Sequence, residues 1–251
     1  MVKINGHYLR VETYGSTGGN PVILLHHGLG SIQAWQYQIP SLVDAGYRVI
    51  VYDRWGYGKS ETRNRLSLPS FDDDLSDLLI LFDVIGIKKA SLIGHSDGGT
   101  IGLYFAAQNV DLVTSLITVA AHIYIEEKMR VGIKGIQSKF NNDQRFHKGL
   151  SRVHGEFAEQ VFYNWYNGWH REDILDWDIR PELASINCPT LVIQGLEDEH
   201  ATPDHARHIA EAISGSDLWL VESCGHMLPQ ENSDKFNRKI INFLNRVYGS
   251  V

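Results

Sequence analysis

The chain has 251 residues, 43% of them hydrophobic and 21% charged, with a formal net charge of −7. That length buries a large core in one domain, with room for an insertion, and the acidic balance argues against a nucleic-acid surface. No apolar run reaches the length of a membrane span, and Met1-Val2-Lys3-Ile4-Asn5-Gly6-His7 lacks the layout of a signal peptide, so the cytoplasm is the expected location.

In chain order, residues Lys3 to Tyr14 read as a hairpin around Asn5-Gly6. Val22-Ile23-Leu24-Leu25 is a continuous apolar run, as a strand buried on both faces requires, and ends in His26-His27-Gly28-Leu29-Gly30. Trp35 to Ala45 reads as a helix. Arg48 to Tyr52 is the next strand, running into Asp53-Arg54-Trp55-Gly56-Tyr57-Gly58-Lys59-Ser60. From Phe71 to Ile85 the apolar residues follow helical spacing. Asp72, Asp73 and Asp74 then occupy a first turn, where the helix dipole favours negative charge, and a solvated helix start accounts for them better than a metal site.

Leu92-Ile93 leads into Gly94-His95-Ser96-Asp97-Gly98, followed by a helix-like run through Leu103, Tyr104 and Phe105. Strand, Gly-x-Ser-x-Gly, helix is the context of a nucleophile elbow. The serine sits on a tight, strained turn with no room for a side chain two residues away on either side, and glycine fits both places.

Ser115 to Ala120 is another buried strand, after which the alternation stops. From about His122 to Ala184 the chain reads as helices rich in aromatics, among them Phe140, Phe162, Trp165 and Trp169. Alternation resumes with the strand Thr190–Gln194, a helix near Pro203–Ile213, the strand Leu218–Val221 and a final amphipathic helix. The pattern is a mostly parallel sheet flanked by helices, interrupted by a helical insertion of about 60 residues. Cys188 precedes one late strand and Cys224 follows the next. Their separation of roughly a strand length, ~20 Å, keeps both thiols reduced.

Ligands of open parallel sheets bind beyond the carboxyl ends of the strands. Ser96, Asp198 and His226 all fall there, in the order Ser…Asp…His. With His27-Gly28-Leu29, the Asp53–Ser60 loop and Gly225-His226, nearly the whole chain resembles an α/β-hydrolase with a helical cap. The resemblance implies an α/β fold with a mostly parallel eight-stranded sheet, a core of residues 1–121 and 185–251, and a cap of residues 122–184.

The chemistry follows from the residue types. A serine hydroxyl is a weak nucleophile and needs a base, His226, oriented by an acid, Asp198. By resemblance, the oxyanion donors are the backbone N–H groups of Leu29 and Asp97. Glu197 and Glu199 flank Asp198 and are read as solvent-exposed. His122 and Trp165 are candidates for lining the substrate pocket, with a hydrogen-bonded structural role the alternative for His122 and cap packing for the aromatics. His205 and His208 are three apart on a helix but lack a third ligand, so no metal is expected. His26, His95, Asp53 and Arg54 are read as supports for the oxyanion turn, the elbow and the loops.

Asp97 is the unusual residue, since a carboxylate beside a developing oxyanion opposes catalysis unless it is paired or turned away. The sequence Ser96-Asp97-Gly98-Gly99 resembles the elbow of valacyclovir-hydrolase-like esterases, where the acidic residue meets a substrate amine. The alternative is that it satisfies backbone N–H groups of the elbow, or meets a cation of the protein.

The activity implied is that of a cofactor-independent serine carboxylic-ester hydrolase for small-molecule esters. Its alternatives are an amino-acid ester hydrolase using Asp97, a carbon–carbon bond hydrolase for meta-cleavage diketones, a cofactor-free haloperoxidase type and a hydrolase-fold ligand receptor. Ser96 argues against the aspartate-nucleophile dehalogenases and epoxide hydrolases of this fold.

Overall fold

A computed structural model describes residues 1–249. Val2–Ile4 (β1) and His7–Leu9 (β2) pair antiparallel around Asn5-Gly6, both at positive φ as a tight hairpin turn requires. Val11–Tyr14 (β3) leaves this hairpin and joins the main sheet instead. That sheet also contains Pro21–Leu25 (β4), Arg48–Tyr52 (β5), Ala90–His95 (β6), Val113–Val119 (β7), Thr190–Gly195 (β8) and Asp217–Val221 (β9). Its order is β3-β5-β4-β6-β7-β8-β9, with β3 antiparallel and the others parallel. The main sheet therefore has seven strands rather than the eight expected. The first hairpin forms its own two-stranded sheet; the Tyr8 N–H donates to the Glu61 side chain, and the N–H of Arg10, just past β2, donates to the Ser60 side chain.

Alternation along each strand sorts the core into two layers. Ile23 and Leu25 of β4 face one layer and Val22 and Leu24 the other. The first layer holds Asp72–Val84 (α2), Asp97–Gln108 (α3) and Asp204–Ala212 (α8) through Leu78, Phe105 and Ile209. The second holds Gln38–Asp44 (α1) and Ser233–Gly249 (α10) through Leu42, Phe236 and Ile240. The helix expected over Trp35–Ala45 is divided into a 3₁₀ turn, Ile32–Trp35, and α1. Pro40 has no N–H to continue a single helix, but it is accommodated in the first turn of a new one.

Between β7 and β8 run Glu127–Asn142 (α4), Gln144–His154 (α5), Ala158–Trp169 (α6) and the short Arg180–Leu183 (α7). Asp143 ends α4 and caps α5, its carboxylate accepting from the N–H groups of Arg145 and Phe146 at 2.8 and 3.3 Å. Phe140 of α4 stacks on Phe162 of α6 with ring centroids 3.8 Å apart, so part of the aromatic content is this segment's own core. A single bridge between Tyr124 and Asp178 ties its entrance to its exit. After β9, Leu228–Glu231 (α9) leads into α10. Among the described residues, no helix is long and apolar enough to cross a membrane, and both cysteines are free.

Candidate active site

The elbow joins β6 to α3, and its geometry follows from two glycines. Ser96 has φ 54° and ψ −119°, an uncommon conformation for a residue with a side chain. A Cβ on Gly94 would lie 2.1 Å from the Gly98 carbonyl oxygen, and one on Gly98 would lie 2.1 Å from the Leu25 carbonyl oxygen. The turn is fixed from below by the Ser96 N–H, which donates to Val119 of β7 at 2.8 Å. Asp97 opens α3, so its N–H has no acceptor one turn earlier in that helix. Leu29, at φ 61°, also keeps its N–H free of hydrogen bonds among the described residues.

Asp198 lies just beyond β8 and is fully buried. One oxygen accepts from the N–H groups of His200 and Ala201 at 2.7 and 3.1 Å. The other accepts from Gln194 Nε2 at 2.7 Å and pairs with His226 Nδ1 at 2.8 Å. Burial pushes the Asp198 carboxyl upward, but His226 and these donors outweigh it and hold the group well below the usual range. For His226 burial acts downward, and the neighbouring Asp198 carboxylate raises the imidazole above its ordinary value instead. The tautomer follows: Nδ1 carries the proton towards Asp198, leaving Nε2 as the basic nitrogen.

Ser96 and His226 line one cavity of about 250 Å³, with Asp97, His122, Trp165 and Trp169 also in its wall. Met129, Ile133 and Leu150 of α4 and α5 add apolar wall, with Lys139 of α4 also in the lining. The structure thus brings every candidate site residue of the sequence to one place: Ser96, His226, Leu29, Asp97, His122 and Trp165 in the wall, and Asp198 behind His226.

The Asp97 carboxylate is buried against protein partners. Trp169 Nε1 donates to one oxygen at 3.2 Å, and Arg54 Nη2 approaches the other at 3.5 Å. Burial raises the Asp97 carboxyl and Arg54 opposes that rise. Arg54 also donates to Asp74 at 3.0 Å, and Arg63 reaches the second Asp74 oxygen at 3.1 Å. This corrects the solvated reading for Asp74 alone, which is 2% exposed and serves two arginines, while Asp72 and Asp73 remain on the solvent side of the first turn. Nothing in a run of three aspartates marks the third as inward. Only the helix phase relative to Leu75 and Leu78 carries that signal.

The expected supports are in place. His26 Nδ1 donates to the His27 carbonyl at 2.8 Å and its Nε2 accepts from the Arg54 N–H at 3.0 Å. His95 Nε2 donates to the His226 carbonyl at 2.8 Å. Asp53 accepts from the N–H groups of Ile32 and Lys59 at 2.7 and 2.8 Å. His205 Nδ1 accepts from the Ile123 N–H at 3.2 Å, and the described residues contain no group of three or more side chains able to hold a metal ion.

Two histidines at the site escaped the sequence reading. His200 faces the His226 ring at 4.8 Å between centroids, and burial pulls its pKa down to about 4. Its signal is the spacing Asp198-x-His200. His154 of α5 donates through Nε2 to the Leu29 carbonyl at 2.9 Å and accepts from the Gly58 N–H at 2.9 Å. It pins the turn beside the cavity from a distance in sequence that no local motif reveals.

Comparison with known proteins agrees with this architecture. The chain is 28% identical over 249 residues to the human serine hydrolase BPHL, covering 97% of this chain and 85% of that protein. It is also 28% identical to a 2-hydroxy-6-oxo-6-phenylhexa-2,4-dienoate hydrolase of Comamonas testosteroni, covering 92% and 90% of the two chains. The crystal structure of the enol-lactonase from Burkholderia xenovorans LB400 superposes with a TM-score of 0.79 at 23% identity, over 96% of this chain and 98% of that one. The model of the α/β-hydrolase fold matches residues 20–171, and the chain belongs to that family.

Proposed function

We propose that this protein is a serine carboxylic-ester hydrolase for small substrates, working through an acyl-enzyme. The observation that carries the reading is the 2.8 Å contact of His226 Nδ1 with Asp198 Oδ2, beside a cavity that Ser96 also lines. His226 takes the Ser96 proton as Oγ attacks the ester carbonyl, and the N–H groups of Leu29 and Asp97 receive the oxyanion. Collapse expels the alcohol, protonated by His226, and a water activated by the same imidazole then releases the acid. No cofactor takes part. Ser96 Oγ makes no hydrogen bond among the described residues, and in this reading its bond to His226 Nε2 closes when substrate binds. Residues 122–184 act as a cap over a core of residues 1–121 and 185–251, and the apolar side chains of α4 and α5 exclude water from the acyl-enzyme.

The similarity to the Comamonas testosteroni enzyme supports a second reading, hydrolysis of a carbon–carbon bond in a meta-cleavage diketone by the same residues. Amino-acid esters as substrates require an ammonium group to compete with Arg54 for Asp97, and the contacts of that carboxylate support the bracing role. The test is kcat/KM for short acyl esters, amino-acid esters, lactones and a 2-hydroxy-6-oxo-dienoate, with wild type and Ser96→Ala. The ester reading expects esters to lead and Ser96→Ala to abolish their turnover. Faster turnover of the dienoate replaces it with the second reading, and turnover of none leaves a binding protein.

A further inference from the structure

His122 stands apart from the other buried histidines. The rings of His7, His26, His95, His154, His205 and His226 each hydrogen-bond to a protein group. His122 is 5% exposed, lines the cavity, and has both Nδ1 and Nε2 buried without a partner among the described residues. Buried polar atoms in native proteins are nearly always paired, so a pair of orphans on one ring in a cavity wall needs an explanation.

The backbone that carries the ring is held where it is. The His122 carbonyl accepts from Thr100 Oγ1 at 2.7 Å, and the next N–H, that of Ile123, is fixed by His205. The imidazole lies among other rings, with centroids 5.9 Å from His226, 5.5 Å from His205 and 6.4 Å from Trp169. Burial holds its pKa well below the ordinary value, and the neighbouring His205 and His226 push the same way against a smaller pull from Asp198. The ring is therefore neutral at neutral pH, offering one N–H donor and one lone pair.

Resting on the ester-hydrolase reading of this site, we propose that His122 is a specificity-determining residue that selects substrates carrying a neutral hydroxyl or carboxamide group. Such a group both donates and accepts, so it pairs with a neutral imidazole in either tautomer. A carboxylate only accepts and gains no cation here. A plain alkyl chain leaves both nitrogens desolvated and unpaired, and sites built to hydrogen-bond a substrate group discriminate strongly against analogues that lack it.

The experiment measures kcat/KM for methyl butyrate, methyl 2-hydroxybutyrate, methyl 3-hydroxybutyrate and methyl succinamate. The proposal expects at least one polar ester to lead butyrate by about tenfold or more in wild type. His122→Leu is expected to bring that ratio to within about twofold, and His122→Gln, which keeps a donor and an acceptor, to retain most of it. Labelling of Ser96 by a fluorophosphonate reports that each variant is folded. Wild-type rates within twofold across all four esters overturn the proposal, as does a preference that survives in a labelled His122→Leu. Loss of both labelling and turnover in wild type overturns the hydrolase reading instead.

Discussion

Arg54 Nη2 lies 3.5 Å from Asp97 Oδ2, in a place where both side chains are almost fully buried. The pair joins the loop after β5 to the first residue of α3, and Trp169 extends it to α6. With Asp74 and Arg63 it forms a quartet of two cations and two anions. A carboxylate directly after the proposed nucleophile, Ser96, is tolerable because a guanidinium already faces it.

Asp97→Asn removes one anion from that quartet and leaves Arg54 with Asp74 alone. Because Arg54 keeps Asp74 at 3.0 Å and burial already raises the Asp97 carboxyl, the loss should be modest, about 1 kcal/mol, which urea unfolding would register as a slightly lower midpoint. Turnover of neutral and amino-acid esters should fall by the same factor. A selective loss on amino-acid esters would mean that the carboxylate serves a substrate ammonium instead.

In the proposed mechanism a protonated His226 cannot accept the Ser96 proton, so kcat/KM should rise with pH as the imidazolium empties. Because Asp198 raises the imidazole, against the downward effect of burial, the midpoint of that rise should lie above the ordinary value of about 6.5. Asp198→Asn removes both the charge and the tautomer control. It should lower kcat by about 10⁴ and move the midpoint downward, as a pH–rate profile on a short ester would reveal.

Stability should fall on mild acidification. His26, His27, His95 and His122 are held below the ordinary imidazole value chiefly by burial, so they stay neutral in the fold and protonate once unfolded. The unfolded state then binds more protons, and unfolding free energy drops as pH falls below about 6.5. His27, with a folded pKa of about 4, alone accounts for about 2 kcal/mol between pH 7 and 5. His226 acts oppositely, its stabilisation being present at low pH and lost as pH rises through its raised value. Denaturant melts at pH 7, 6 and 5 should show the net loss, and a flat profile would mean that these rings take up protons in the fold.

Two glycine substitutions should act in opposite directions. Gly98→Ala drives a methyl group to 2.1 Å from the Leu25 carbonyl oxygen, so β4 or the elbow must move. We expect at least a hundredfold loss of kcat/KM with about 3 kcal/mol of destabilisation. Gly135, in the middle of α4, has nothing within 4 Å of an added Cβ. Gly135→Ala should stabilise by about 0.5–1 kcal/mol through helix propensity, seen as a raised Tm.

The elbow was legible because steric crowding demands glycine at Gly94 and Gly98, and only those positions give Ser96 its turn. Asp198 and His226 were legible because β8 and β9 read as apolar runs, the first fully buried and the second at the sheet edge, which places whatever follows them at the carboxyl end of the sheet. The count of strands was not, since the first hairpin forms its own two-stranded sheet. Nor was the arginine–aspartate quartet, whose members meet only after α2, α3 and the loop after β5 have packed together. His154 is an isolated letter in the sequence, and its contacts arise from α5 folding back over the cavity, whereas His200 could have been found from its spacing to Asp198.

In the proposed reaction Ser96 carries the acyl group. Rapid quenching of the enzyme with p-nitrophenyl acetate, followed by peptide mass analysis, would identify the acylated residue. With deacylation slower than acylation for this activated ester, a burst of p-nitrophenol stoichiometric with enzyme and one acetyl group on the peptide containing Ser96 are expected, both absent in Ser96→Ala. An acetyl group on another residue, or turnover that persists in Ser96→Ala, would contradict that role for Ser96.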